Sequence, residues 1–213
     1  DLKFVQDIVD NFHKLYYYSS AFNLGWKNNF WLGIPIQKNP MDMQIYQELI
    51  SSIRPDIIIE TGTKVGGSAL FFANMCDIIN NGEVISIDID EIENLPQHER
   101  ILYLTGNSID PYIIDLIKQH VKDKKVMVIL DSDHSKNHVL KELELYNKFV
   151  NIGSLLIVED TNCSGYPVIG IKGEGPMEAI YTFLKTNNNF IINKRYEKNF
   201  FTFNPNGFLE KIK

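Results

Sequence analysis

Five short apolar runs, set apart by turns and helical stretches, constrain this chain more than any other feature. They are DIIIE at 56–60, EVISIDID at 83–90, ILYLTG at 101–106, VMVILDSD ending at 133, and SLLIVED at 154–160. Runs of this length bounded by turn signals suit strands buried on both faces of a parallel sheet. Helical patterns separate them, in ALFFANMCDII, through 109–121 and across 136–149. Strands alternating with helices imply right-handed βαβ units. The tail differs, because FIINKRY and NFFTFNP lie too close around Glu197-Lys198-Asn199 for a crossover helix. They predict an antiparallel hairpin closing one edge. The expected fold is α/β and Rossmann-like: a central, mostly parallel seven-stranded sheet with a C-terminal antiparallel hairpin and helices on both faces.

A length of 213 residues suits one sizeable domain. Residues 1–40 read as a helical and loop extension, and 41–213 as a single domain. In the extension, Phe12, Leu15, Tyr16 and Tyr17 share one face of a leader helix, and WKNNFWLGIPIQKNP reads as a loop. Helix signals resume at Asp42 and end at Arg54-Pro55. The aromatic leader predicts a homo-oligomer. A net charge of −6 argues against a nucleic-acid partner, whose backbone calls for clustered Lys and Arg. No run of 18 apolar residues exists, so no membrane span is expected, and the start lacks a signal peptide's pattern. Two cysteines, Cys76 and Cys163, are too few for a disulfide scaffold. Cys76 reads as a buried thiol, and a cytoplasmic location is the expectation.

In open α/β sheets, ligands bind beyond the carboxyl ends of the strands. There the first run ends in Glu60, followed by T-G-T-K-V-G-G-S with Gly62, Thr63, Gly66 and Ser68. Glycines let a ligand approach the backbone, although tight strand–helix packing also calls for them. The spacing is neither G-x-G-x-x-G nor a P-loop. Glu60 would repel a pyrophosphate but suits an ammonium group, such as the methionine part of S-adenosylmethionine carries. Asp88, ending the second run, is placed to accept ribose hydroxyls, or is simply an exposed acid. Asn107 and Ser108 can flank an adenine or cap the next helix.

The strongest chemical signal joins LDSDH at 130–134 to VED at 158–160. If those strands are neighbours, Asp131, Asp133, Glu159 and Asp160 crowd one rim, which is costly without a cation among them. Oxygen ligands suit Mg²⁺, Mn²⁺ or Ca²⁺. His134, three residues after Asp131, can take a proton beside that ion. His134 and His138 have a zinc-compatible spacing but lack the H-E-x-x-H context. A solvated rim of helix-capping acids is the plainer alternative.

Together, WLGIPIQKNPMDMQIYQELI, RPDIIIETGTKVGGSALFFA, VISIDID, VMVILDSDHSKNHVLKELELY, GSLLIVEDTN and GEGPMEAI resemble the cephalosporin hydroxylase family, over about residues 26–210. That family is similar to class I S-adenosylmethionine-dependent methyltransferases and includes rhamnosyl O-methyltransferase-like proteins. The resemblance implies a methyl donor over ETGTKVGGS and Asp88, reaching Asp131. It also implies a divalent ion on an acid after the fourth strand together with Glu159 and Asp160. In such enzymes a ligand Asp is followed three residues later by the base. Asp131 and His134 fit, with Glu159 28 positions after Asp131; Asp133 is the alternative ligand. The expected reaction is O-methylation of a small-molecule or glycosyl acceptor, a vicinal diol being favoured. The loop CSGYPVIGIKGEGP at 163–176 would be its lid and WKNNFWLG its opposite wall. An oxygenase, a nicotinamide oxidoreductase and a non-catalytic scaffold are the rivals.

Overall fold

The structure, a computed structural model, describes residues 2–170 and 172–213. Asp1, the first residue of the leader, and Ile171, inside the expected lid, lie outside the described residues. The chain opens with α1 (Leu2–Tyr18), two 3₁₀ turns and a two-residue-per-strand hairpin, β1 (Phe30–Trp31) and β2 (Ile34–Pro35). Then come α2 (Pro40–Ile53), β3 (Ile57–Thr61), α3 (Gly67–Ile79), β4 (Glu83–Asp88) and β5 (Ile101–Thr105). They are followed by α4 (Pro111–His120), β6 (Val126–Leu130), α5 (Lys136–Tyr146) and β7 (Leu155–Val158). The chain closes with α6 (Pro176–Thr186), β8 (Phe190–Ile192) and β9 (Phe208–Lys211).

The seven-stranded sheet runs β5-β4-β3-β6-β7-β9-β8. The first five strands pair in parallel, and β9 pairs antiparallel with both β7 and β8. All residues of β3, β6 and β7 are buried, as expected of strands covered by helices on both faces. One face packs Ile113, Leu143 and Ile180 of α4, α5 and α6; the other packs Leu49 and Ile50 of α2 and Phe72 of α3. Strand order reverses between β3 and β6, which opens a crevice beyond their carboxyl ends.

Asn39 starts α2 by accepting a hydrogen bond from the Met41 N–H (3.1 Å), with Pro40 in the first turn. The helix therefore begins two residues before the expected Asp42.

The C-terminal hairpin forms, but its second strand is FLEK at 208–211 and not NFFTFNP. In that segment, side chains and loops take the backbone groups a ladder would use. The Phe203 N–H donates to Asp42 Oδ2 (2.8 Å), and the Phe203 carbonyl accepts from the Asn162 N–H (3.1 Å). Phe201 and Phe203 plug against His13, Tyr16 and Tyr17 of α1. On α1 itself, His13 is buried while Leu15 is 68% exposed, so the packed face is centred one residue away from the expected one. The 26–40 segment, read as loop, carries the β1–β2 hairpin.

Leu49 is wholly buried against the sheet. Leu49→Ala is expected to cost about 2–5 kcal/mol of unfolding free energy, read by chemical denaturation. A loss below about 1 kcal/mol would contradict this packing.

Candidate active site

A cavity of about 640 Å³ lies across the carboxyl ends of the parallel strands, and most of the residues singled out in the sequence line it. Gly62, Thr63 and Ser68 come from the β3–α3 turn, Asp88 from β4, and Asn107 and Ser108 from the turn after β5. Asp131, Asp133 and His134 follow β6, and Asp160 follows β7. Tyr17, Trp26, Gln37, Cys163 and Gly170 also line it. The expected wall and lid segments thus each contribute to the cavity. Three expected residues do not line it: Glu60, Gly66 and Glu159.

Two glycines set the shape of the β3–α3 turn. Gly62 has φ +92°, and a Cβ there would strike the backbone carbonyl of Asp131. Gly66, at φ +80°, caps α3, and its Cβ would come within 2.6 Å of Pro96 Cδ. Both positions therefore require glycine for conformation and for space.

Asp88 receives one backbone N–H on each oxygen, from Lys64 (2.8 Å) and Asp90 (3.1 Å), which fixes its carboxylate at the cavity edge. The cap of α4 is Asp110, through the Tyr112 N–H (2.8 Å), so Ser108 is not spent on capping. Ser108 Oγ instead pairs with His138 Nε2 at 3.1 Å, and Asn107 Oδ1 accepts from the Ile109 N–H at 3.1 Å. Glu60 is fully buried beneath the cavity and accepts from Ser86 Oγ (2.8 Å), while its Oε1 has no hydrogen-bond partner. Burial, opposed by the nearby Lys38 charge, pushes its pKa up to about 7.

β6 and β7 pair in parallel with Leu130 opposite Val158, which brings Asp131, Glu159 and Asp160 together. Asp131, His134 and Asp160 each bring a ligand atom within 4.8 Å of the others. His134 Nε2 stands 3.3 Å from Asp160 Oδ2 and 3.8 Å from Asp131 Oδ1. Burial lowers the affinity of His134 for its proton, but the carboxylates of Asp160, Asp131 and Glu159 outweigh it, and its pKa rises. Asp133 turns away to accept from the Ser135 N–H (2.6 Å) ahead of α5. Of the two candidate acids, only Asp131 joins the cluster.

Lys38 is the residue that sequence reasoning missed. It is 4% exposed, and its Nζ donates to Asp131 Oδ2 (2.5 Å) and Glu159 Oε1 (2.6 Å). Tyr46, wholly buried on α2, donates its hydroxyl to the same Glu159 oxygen (2.7 Å) and accepts from Asn204 Nδ2 (3.2 Å). Asn204 Oδ1 in turn accepts from the Asp160 N–H (3.1 Å), and Asp160 adopts a left-handed φ of +53°. Burial raises the pKa of Glu159, opposed by its pairing with Lys38. The available signal was the acid excess itself, since neighbouring strand-end carboxylates need a cation. Lys38, just ahead of the Asn39-Pro40 helix start, was within reach.

Asp42 sits behind this network, with Oδ2 on the Phe203 N–H and Oδ1 unpartnered. Burial raises its pKa to about 7. The fold therefore favours the neutral acid. That contribution to stability is complete below the ordinary aspartate value and is lost as pH rises to about 7. Asp42→Asn should remove this loss, gaining on wild type by roughly 3 kcal/mol between pH 4 and pH 8. Parallel stability–pH curves for the two proteins would contradict it.

Residues 23–212 match the family described as Rhamnosyl O-methyltransferase/CmcI. Rhamnosyl O-methyltransferase of Mycobacterium tuberculosis (strain ATCC 25618 / H37Rv) is 37% identical over 211 residues, covering 95% of this chain and 84% of that protein. Its counterpart in Mycobacterium leprae (strain TN) is 37% identical over 209 residues, covering 95% and 90%. Among solved structures, CmcI with Mg and SAM superposes with a TM-score of 0.68 at 20% identity, covering 88% of this chain and 78% of that one. The MycE methyltransferase of the mycinamycin pathway, with Mg, SAH and mycinamycin VI, gives 0.51 at 18%, covering 80% and 45%. These two share the fold. The matched span and the identity to the curated mycobacterial proteins place the chain in the Rhamnosyl O-methyltransferase/CmcI family.

Proposed function

We propose that this chain is an S-adenosylmethionine-dependent, divalent-metal-dependent O-methyltransferase acting on a sugar hydroxyl. One observation carries the reading: the Asp131, His134 and Asp160 cluster opens into the same cavity as the glycine turn and Asp88. The curated relatives are named rhamnosyl O-methyltransferases, and solved structures of the same fold hold Mg with SAM or SAH. A glycosyl acceptor with neighbouring oxygens is the favoured substrate class.

The donor set fits a hard cation. The carboxylates of Asp131 and Asp160, from adjacent strand ends, converge beside His134, and oxygen ligands suit Mg²⁺, Mn²⁺ or Ca²⁺. Asp131, Glu159 and Asp160 would hold the ion. A bound ion supplies Lewis acidity to a hydroxyl, and the donor supplies the methyl group. The protein's part is positioning and proton handling. Gly62, Thr63 and Ser68 would hold the donor's amino-acid end. Asp88 would accept hydrogen bonds from the ribose hydroxyls, Asn107 and Ser108 would flank the base, and Asp131 would serve both the donor and the ion. His134 accepts the acceptor's proton at Nε2, and Asp160, 3.3 Å away, stabilises the resulting imidazolium. Tyr17 and Trp26, stacked with centroids 5.6 Å apart, offer an aromatic wall on the acceptor side.

Residues 1–40 serve as an extension of a single 41–213 domain. Leu2, Phe4, Ile8 and Leu15 of α1 are exposed apolar residues, which supports assembly into a homo-oligomer. Among the described residues no helix is long and apolar enough to cross a membrane. Both cysteines are free, in keeping with a reducing, cytoplasmic setting.

Calorimetric titration of S-adenosylmethionine with and without Mg²⁺, beside a methylation assay on rhamnosides, tests the reading. His134→Ala should keep donor binding and lose about 10²–10⁴-fold in kcat. Failure of the wild type to bind the donor under any of these conditions would sink the proposal. Light scattering on the intact chain should give a mass above that of one copy, and a monomer would refute the assembly.

A further inference from the structure

The acid rim already contains a cation. Lys38, which does not line the cavity, pairs with Asp131 and Glu159, while His134, which does, stands by Asp131 and Asp160. Asp131 is shared: Oδ2 faces the ammonium and Oδ1 faces His134. Glu159 is committed more fully, since its Oε1 receives both Lys38 and the Tyr46 hydroxyl.

The segment carrying Lys38 is anchored at the backbone. Gln37 adopts a left-handed φ of +52°, the Lys38 carbonyl accepts from Asn29 Nδ2 (2.8 Å), and Asn39 caps α2. With the backbone held, only rotation of the four-carbon side chain moves the ammonium. Lys38 is also the one buried lysine among the described residues. A buried ammonium on two carboxylates is costly to strip of its partners.

We propose that the Lys38 ammonium competes with the divalent ion for Asp131 and Glu159. It keeps the acid pair assembled when no metal is bound and sets how tightly metal binds. The inference rests on the metal-dependent reading above. Two cations on one carboxylate pair repel each other, and the lysine charge is fixed in place. Metal binding therefore works against either that repulsion or the rotation of the lysine out of its seat. Lys38 acts through the acids and is a positioning residue.

The test uses Mg²⁺ alone, without donor or acceptor, on the full chain. Titration calorimetry should show Lys38→Met binding Mg²⁺ about tenfold more tightly than wild type, with Lys38→Arg staying near or below it. Without metal, Lys38→Met should melt about 5 °C lower, and saturating Mg²⁺ should raise its Tm by more than it raises that of wild type. A purely structural lysine would lower Tm without tightening the metal. Equal or weaker Mg²⁺ affinity in Lys38→Met overturns the competition while leaving metal dependence intact. Absence of Mg²⁺ binding in wild type overturns the metal reading itself. If Lys38→Met does not fold, wild type labelled with ¹⁵N at lysine Nζ still decides. A slowly exchanging buried ammonium signal should shift during Mg²⁺ titration, and a signal unmoved by bound metal overturns the proposal.

Discussion

Two parallel neighbours in register, β6 and β7, deliver Asp131 and Glu159-Asp160 to the same level of the sheet edge, and most of the surrounding structure answers that placement. Carboxylates so close, and shielded from water, repel strongly unless counter-charge and hydrogen-bond donors meet them. Lys38 supplies the charge from the segment before α2, Tyr46 supplies a hydroxyl from α2, and Asn204 ties in the loop before β9. Two stretches far apart in sequence, residues 38–46 and the loop holding Asn204, thus converge on one pair of strand ends. The aromatic contacts of α1 with Phe201 and Phe203 close the same region from outside.

The first forty residues accordingly have two characters. Most of α1 touches little, with His13 its one buried residue. Yet Tyr17 and Trp26 line the cavity, and Lys38 stands under the acids. Near residue 40 the chain is held on both sides, because Asn39 caps α2 while the Lys38 carbonyl is held by Asn29.

The parallel strands were legible because burial on both faces leaves unbroken Ile, Val and Leu runs, and their ends were legible because acids there have few structural reasons to exist. The His134 spacing favours Asp131 over Asp133 as the ligand; in the structure Asp133 accepts from the Ser135 N–H while Asp131 stands beside His134 and Asp160. What escaped depends on long-range pairing. A single lysine in an irregular stretch carries no periodicity, so its contacts with Asp131, 93 positions away, leave no local trace. NFFTFNP has the aromatic alternation of a strand, but Phe201 and Phe203 use it to plug a helix interface, and Asp42 takes the N–H a ladder would have claimed. Glu159 is expected as a metal ligand beside Asp160, and its local sequence carries no sign of the partners that meet it. Those partners are Lys38 and Tyr46.

Gly62 has no room for a side chain because the carbonyl of Asp131 lies against it. The turn that follows the first parallel strand and the acid that follows the fourth are consequently one rigid joint. A designer who transplanted the glycine turn from another protein, with any larger residue at that position, would push the acid rim out of line. The two halves of the cavity are not interchangeable parts, and a chain that changes its donor loop must change the neighbouring strand end with it.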